Sequence, residues 1–183
     1  MAFVGIQTQI KRNNRKSVLL LIAFPLYIVK SPTTVCLPSA SISISKINNS
    51  QFTIHNSQLN NSPDIAQTIA VTCFGLGIGC HLTGLHTLKI KETDRLEALK
   101  NELTKLGANV SVTNDSLTLE PSEKINENIS IKTYQDHRMA MALSLLSLCS
   151  AGIEVADPEV VTKSWPTFFA DMTPILGAHE MGN

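Results

Sequence analysis

The sequence predicts an α/β (α+β) protein in which helices pack on mixed sheets. Three observations carry that expectation: stretches with helical apolar spacing alternate with short β-type runs, glycines stand where the helices should stop, and turn residues join paired β-runs. With 183 residues, 43% of them hydrophobic, the chain has material for one ordinary domain with a real core, not two. Lys plus Arg and Asp plus Glu are equal at 15 each. No overall field therefore attracts nucleic acid or an acidic membrane surface, and any anion binding must come from local clusters. The cysteines Cys36, Cys73, Cys80 and Cys149 form no C-x-x-C pair and have no His at zinc spacing. A reduced, cytoplasmic chain is the simpler reading.

Residues 1–40 read as an atypical leader. A basic stretch at 11–16, an apolar run at 18–29 and the small residues Ser39 and Ala40 outline a secretory signal, too short to span a bilayer. The alternatives are a buried strand pair bent at Pro25 and a leader foreign to the protein. Residues 31–62, rich in Ser, Asn, Thr and Pro, predict a linker and then a hairpin built on the alternating runs 42–45 and 52–54. At Ser62-Pro63-Asp64 the character changes. Ser62 suits an N-cap, Pro63 the first helical position, and Asp64 the positive helix end. A helix should run to about Phe74, with Ile65, Ile69, Cys73 and Leu76 on one face, and Gly75, Gly77 and Gly79 should end it. Because these glycines follow a helix rather than a strand, they do not read as a dinucleotide-binding loop.

An apolar–polar alternation at 81–85 and a charged loop at 89–95 come next. A second helix carries Leu96, Leu99, Leu103 and Leu106 on one face and stops at Gly107. Residues 110–113 and 117–119, joined by Asn114-Asp115, read as a hairpin. A short strand at 129–131 leads into a third helix that Gln135-Asp136-His137-Arg138 opens, reaching Leu148 before Gly152. A strand at 153–155 and a last helix starting at Trp165-Pro166 complete the pattern, close to a βαββ unit used twice. The domain is expected over 41–175, with a tail at 176–183.

Three cationic clusters stand at helix starts or in the loops leading to them: Lys91 with Arg95, His137 with Arg138, and Lys163. The helix macrodipole opposes a cation there, and a bound anion would compensate it. Arg offers a planar fork for carboxylate or phosphate, and Lys a movable point charge. The bland alternative pairs each cation locally, Arg95 with Glu92 or Asp94 and Arg138 with Asp136. Against it, each cluster lies just after a strand and before a helix, where α/β proteins place ligand sites. Asp64 reads either as a cap or as a proton acceptor, and Glu92 as an ion-pair partner or a proton-transfer group.

Four segments, taken together, resemble the C-terminal half of the 5-enolpyruvylshikimate-3-phosphate synthase (3-phosphoshikimate 1-carboxyvinyltransferase) family. They are residues 63–70, Lys91-Glu92-Thr93-Asp94-Arg95, the run 133–142 containing Asp136-His137-Arg138, and Asp157-Pro158 followed by 162–166. The resemblance spans roughly residues 41–172. It implies βαβαββ repeats, about two of them in this chain, and transfer of the enolpyruvyl group of phosphoenolpyruvate to the 5-hydroxyl of shikimate 3-phosphate with release of phosphate, without metal or organic cofactor. It further implies that Asp64 and Lys91 bind shikimate 3-phosphate, with Asp64 and Glu92 moving protons. Arg95, Arg138 and Lys163 would hold phosphoenolpyruvate. Thr87 stands where many relatives have a substrate-binding Asn.

Residues 1–40 hold no counterpart of the polar residues that the family's N-terminal domain contributes. The chain is therefore expected to be a fragment or split subunit needing a complementary N-terminal half, since half of a positioning site should be close to inert. The competing expectations are a non-catalytic binding remnant and the related transferase acting on UDP-N-acetylglucosamine, which the 91–95 and 136–141 motifs disfavour.

Overall fold

The computed structural model describes residues 34–37, 40–47, 51–122 and 124–176. Most of the expected leader, its signal-like run included, and the tail beyond residue 176 lie outside them. Six strands form one sheet: β1 (Thr34–Leu37), β2 (Ala40–Ile47), β3 (Gln51–Gln58), β4 (Gly79–Thr83), β5 (Val110–Val112) and β6 (Ser116–Leu119), in the order β1-β2-β3-β4-β6-β5. Every pairing is antiparallel except β3 with β4, which are parallel and joined through helix α1 (Ala66–Leu76). With helix α2 (Arg95–Lys105) between β4 and β5, the run β3-α1-β4-α2-β5-β6 is one complete βαβαββ unit.

The βαββ pattern expected from sequence is the latter part of this unit. Strand β3, expected only as a hairpin arm against β2, has a second edge that pairs in parallel with β4. Strand β1 falls in the stretch read as a linker. Beyond β6, the chain repeats the opening of the unit: β7 (Ser130–Ile131), α3 (His137–Ser144), β8 (Glu154–Val155) and α4 (Phe168–Leu176), with β7 and β8 parallel.

Helix α1 packs against β4, α2 and α3. Nine of its eleven residues are buried, so the stripe expected from spacing is instead apolar burial nearly all round. Its first turn, Pro63–Ile65, is a 3-10 turn, and Ile65 rather than Ser62 occupies the cap position of α1. Gly77 ends the helix at φ 74°, its N–H bonding to the carbonyls of Cys73 and Phe74. Helix α2 is amphipathic, with Leu96, Leu99 and Leu103 fully buried against Leu82, Leu117 and Leu119 of the sheet's inner face. Each such leucine contributes roughly 1.5–3 kcal/mol by leaving water.

A second, smaller core gathers Ala140, Leu145, Leu148, Val161, Phe168 and Met172. Helix α3 tightens to a 3-10 turn over Leu145–Leu148. Helix α4 begins three residues later than expected because Trp165 and Thr167 turn back, donating from Nε1 and Oγ1 to the Asp171 carboxylate at 2.8 and 2.7 Å. Among the described residues, no helix is long and apolar enough to cross a membrane.

Candidate functional site

The parallel strands place their following loops on one rim. Asp64 follows β3, the segment 91–95 follows β4, Asp136 to Arg138 follow β7, and Lys163 follows β8. Each cap is built locally. Asp94 accepts hydrogen bonds from the N–H groups of Leu96 and Glu97, both at 3.2 Å, which starts α2 at Arg95. Asp136 accepts one from the N–H of Arg138 at 2.8 Å, which starts α3 at His137.

Arg95 turns inward, its side chain only 2% exposed. Burying a guanidinium is unfavourable unless it is paired. Three carboxylates pair it here: Nε donates to Asp136 Oδ2, Nη1 to Asp64 Oδ1 at 2.8 Å, and Nη2 to Glu92 Oε2 at 2.8 Å. These carboxylates in turn draw the other cations. Lys91 Nζ lies 3.5 Å and Arg138 Nη2 3.8 Å from Asp64, while Lys163 Nζ lies 3.1 Å from Glu92. Four cations thus meet three carboxylates in one connected network. The side chains of Arg138 and Lys163 are 42% and 62% exposed, so they, not Arg95, meet solvent.

Local pairing describes only part of this. Arg95 does take Glu92, but Asp94 is spent on the helix cap, and Asp136 meets Arg95 rather than the Arg138 guanidinium. Asp64 does not cap α1; its oxygens face cations from two other loops. Thr87 lies on the 3-10 helix His86–Ile90, which packs against the Pro63–Ile65 turn. Among the described residues its buried hydroxyl has no hydrogen-bond partner, and it is the predicted residue that no ion pair or hydrogen bond ties to the network.

The network sets its own proton chemistry. A hydrogen bond from its own backbone N–H, another from Lys163, and the nearby Arg95 hold the Glu92 carboxyl down at about 2, so Glu92 is an anion at neutral pH and a weak base as it stands. Burial first, then the charges of Arg138 and Lys163, push the His137 imidazole below its ordinary value against the pull of Asp136. It is therefore neutral at pH 7.

Two residues outside the sequence prediction carry the geometry. Asp136 is fully buried and links α3 to Arg95. Glu102, also fully buried, accepts from the Tyr134 hydroxyl at 2.8 Å, from Lys105 Nζ at 2.6 Å and from the N–H of Lys132 at 3.1 Å. Between them, Tyr134 and Gln135 take left-handed backbone conformations, φ 56° and 58°. Each costs about 1–3 kcal/mol for a residue with a side chain. The signal for Glu102 was present, since it interrupts the apolar stripe of α2.

A βαβαββ unit and the opening of a second, with their strand-end loops converging on one ion-pair network, define the class: an α/β protein of repeated units whose site lies beyond the strands' carboxyl ends. The family profile described as EPSP synthase (3-phosphoshikimate 1-carboxyvinyltransferase) matches residues 38–172. The 3-phosphoshikimate 1-carboxyvinyltransferase of Bacteroides fragilis is 46% identical over 112 residues, covering 60% of this chain and 27% of that protein. The enzyme of the same name from Paraburkholderia phytofirmans is 42% identical over 113 residues, covering 62% and 26%. A solved structure of EPSP synthase from Acinetobacter baumannii has TM-score 0.55 and 26% identity, covering 63% of this chain and 27% of that one. The chain belongs to the EPSP synthase family. It spans about a quarter of the length of these relatives.

Proposed function

We propose that this chain supplies one face of an enolpyruvyl-transfer site, working in the cytoplasm, whose other face comes from a complementary N-terminal half. The domain that does so occupies residues 41–175. In the proposed reaction the 5-hydroxyl oxygen of shikimate 3-phosphate bonds to C2 of phosphoenolpyruvate, the hydroxyl proton passes to a carboxylate, and C3 takes up a proton. The C2–O bond to phosphate then breaks and C3 returns its proton, leaving the enol ether and free phosphate. Arg138 and Lys163 hold phosphoenolpyruvate, with Arg95 fixing the carboxylates behind them. Asp64, Lys91 and the Thr87 hydroxyl face shikimate 3-phosphate.

One observation carries this reading: cations from three separate strand-end loops, Lys91, Arg138 and Lys163, hang on carboxylates that a single buried arginine organises. Such preorganised charge suits an adduct that accumulates negative charge. The same arrangement offers a way to switch on a base. An incoming carboxylate that draws Lys163 away from Glu92 removes a hydrogen bond that holds Glu92 acidic, making Glu92 a better proton acceptor once substrate is bound.

The test is phosphate release from phosphoenolpyruvate with shikimate 3-phosphate, using the purified chain alone and with the N-terminal half of a related synthase. Release in the mixture only is the expected result. Release by the chain alone would overturn the need for a second half, and release in neither would overturn the transferase reading.

A further inference from the structure

Arg95 and Glu102 stand seven residues apart on the same buried face of α2, about 10 Å along its axis. Both reach the turn between β7 and α3. Arg95 grips its far end at Asp136, and Glu102 grips its near end through the Lys132 N–H and the Tyr134 hydroxyl. The segment they span contains the left-handed Tyr134 and Gln135 and closes with the Asp136 N–H on the Thr133 carbonyl at 3.0 Å. Consecutive left-handed residues with side chains persist only where their surroundings over-determine them. The chain leaves this turn directly into Arg138, the more exposed of the two network arginines.

We propose that Glu102, acting through the Tyr134 hydroxyl, is the positioning residue for Arg138. It holds the strained turn against α2 so that the Arg138 guanidinium is presented beside Asp64. It touches no ligand itself. The ligand part of this inference rests on the proposed function; the positioning part does not. Fully buried, with Lys105 at its second oxygen, Glu102 presents a fixed carboxylate, and a neutral phenol donating to it is the stable arrangement.

Two measurements on the full chain test it. Tyr134→Phe deletes only the hydroxyl and keeps the ring that packs on the core. Hydrogen exchange at the amides of Asp136 and Arg138 should quicken about tenfold, the equilibrium worth of one such bond, while the Leu99 and Leu103 amides of α2 stay unchanged. Glu102→Met, which removes every acceptor at that position, should act in the same direction, and adding Tyr134→Phe to it should change little, because the hydroxyl has already lost its partner there. No change at the turn, a uniform rise across the chain, or full additivity would overturn the proposal.

Titration with phosphoenolpyruvate is the second measurement. Binding weakened about tenfold in Tyr134→Phe is expected. Binding by the original chain that the variant leaves intact would overturn the positioning role. No binding by the original chain even with the N-terminal half of a related synthase present, with the exchange pattern as expected, would count against the proposed function and leave the positioning role standing.

Discussion

The two units treat charge in opposite ways. The complete unit, β3 to β6, supplies most of the larger core, which Ile131, Met139 and Leu143 of the repeat also join, and puts its arginine, Arg95, inside, sealed by three carboxylates. The partial repeat, β7 to α4, has the smaller core and leaves its cations, Arg138 and Lys163, in solvent. One arginine is sealed inside and the other is open to solvent, although both follow a strand and open a helix. What separates them is supply. The loops around Arg95 bring Asp64, Glu92 and Asp136 within reach, whereas among the described residues Arg138 has only the edge of an already occupied Asp64.

Removing Arg95 should break this contrast most severely. Arg95→Ala leaves three carboxylates facing one another, one of them fully buried, and should cost about 3–5 kcal/mol in urea denaturation. Arg95→Lys should recover little, since an ammonium on a flexible stem cannot reproduce the fork. A loss below about 1 kcal/mol would mean that the carboxylates relax into water, and that the buried member is not structural.

Gly84 ranks next. It turns the chain from β4 towards the segment that carries Lys91 and Glu92, at φ +77°, and a Cβ there would lie 2.2 Å from Asn60 Oδ1 and 2.6 Å from the Asn60 backbone nitrogen. Gly84→Ala should destabilise by roughly 2 kcal/mol through backbone strain and contact together. Pairing it with Asn60→Gly isolates the side-chain part: that clash disappears, while the strain and the contact with the backbone nitrogen of residue 60 stay. Full recovery of stability in that pair would show that φ at residue 84 is not constrained.

How much of this the sequence revealed depended on distance along the chain. The stripe Leu96, Leu99, Leu103 and the stop at Gly107 are local, and they were legible. So was the placing of cations after strands. The fate of Arg95 was not, because two of its three partners lie 31 and 41 residues away. The parallel pairing of β3 with β4 is also non-local, and a hairpin pattern cannot announce what binds its second edge. Asp136 was visible only as a neighbour of Arg138; its burial depends on α2. Glu102 was readable in principle, since a carboxylate on an apolar stripe needs buried donors.

The smallest effect is also the sharpest probe of the exposed side. Lys163→Ala removes one partner of Glu92 at a solvent-facing ion pair, so it should cost under about 1 kcal/mol at pH 7. The pH dependence carries more information than the magnitude. The folded Glu92 carboxyl is held at about 2 against an ordinary 4.5, so the stability it contributes is fully present above pH 4.5 and is lost as pH falls towards 2. In Lys163→Ala the folded value moves up towards the ordinary one, which shrinks that contribution. The two proteins should therefore differ above pH 4.5 and converge on acidification towards pH 2. The Glu92 carboxyl resonance, followed by NMR, should titrate at higher pH in the variant than in the original chain. A stability difference that persists unchanged into acid would assign Lys163 to packing, and with it would go the idea that a ligand drawing Lys163 away can make Glu92 a base.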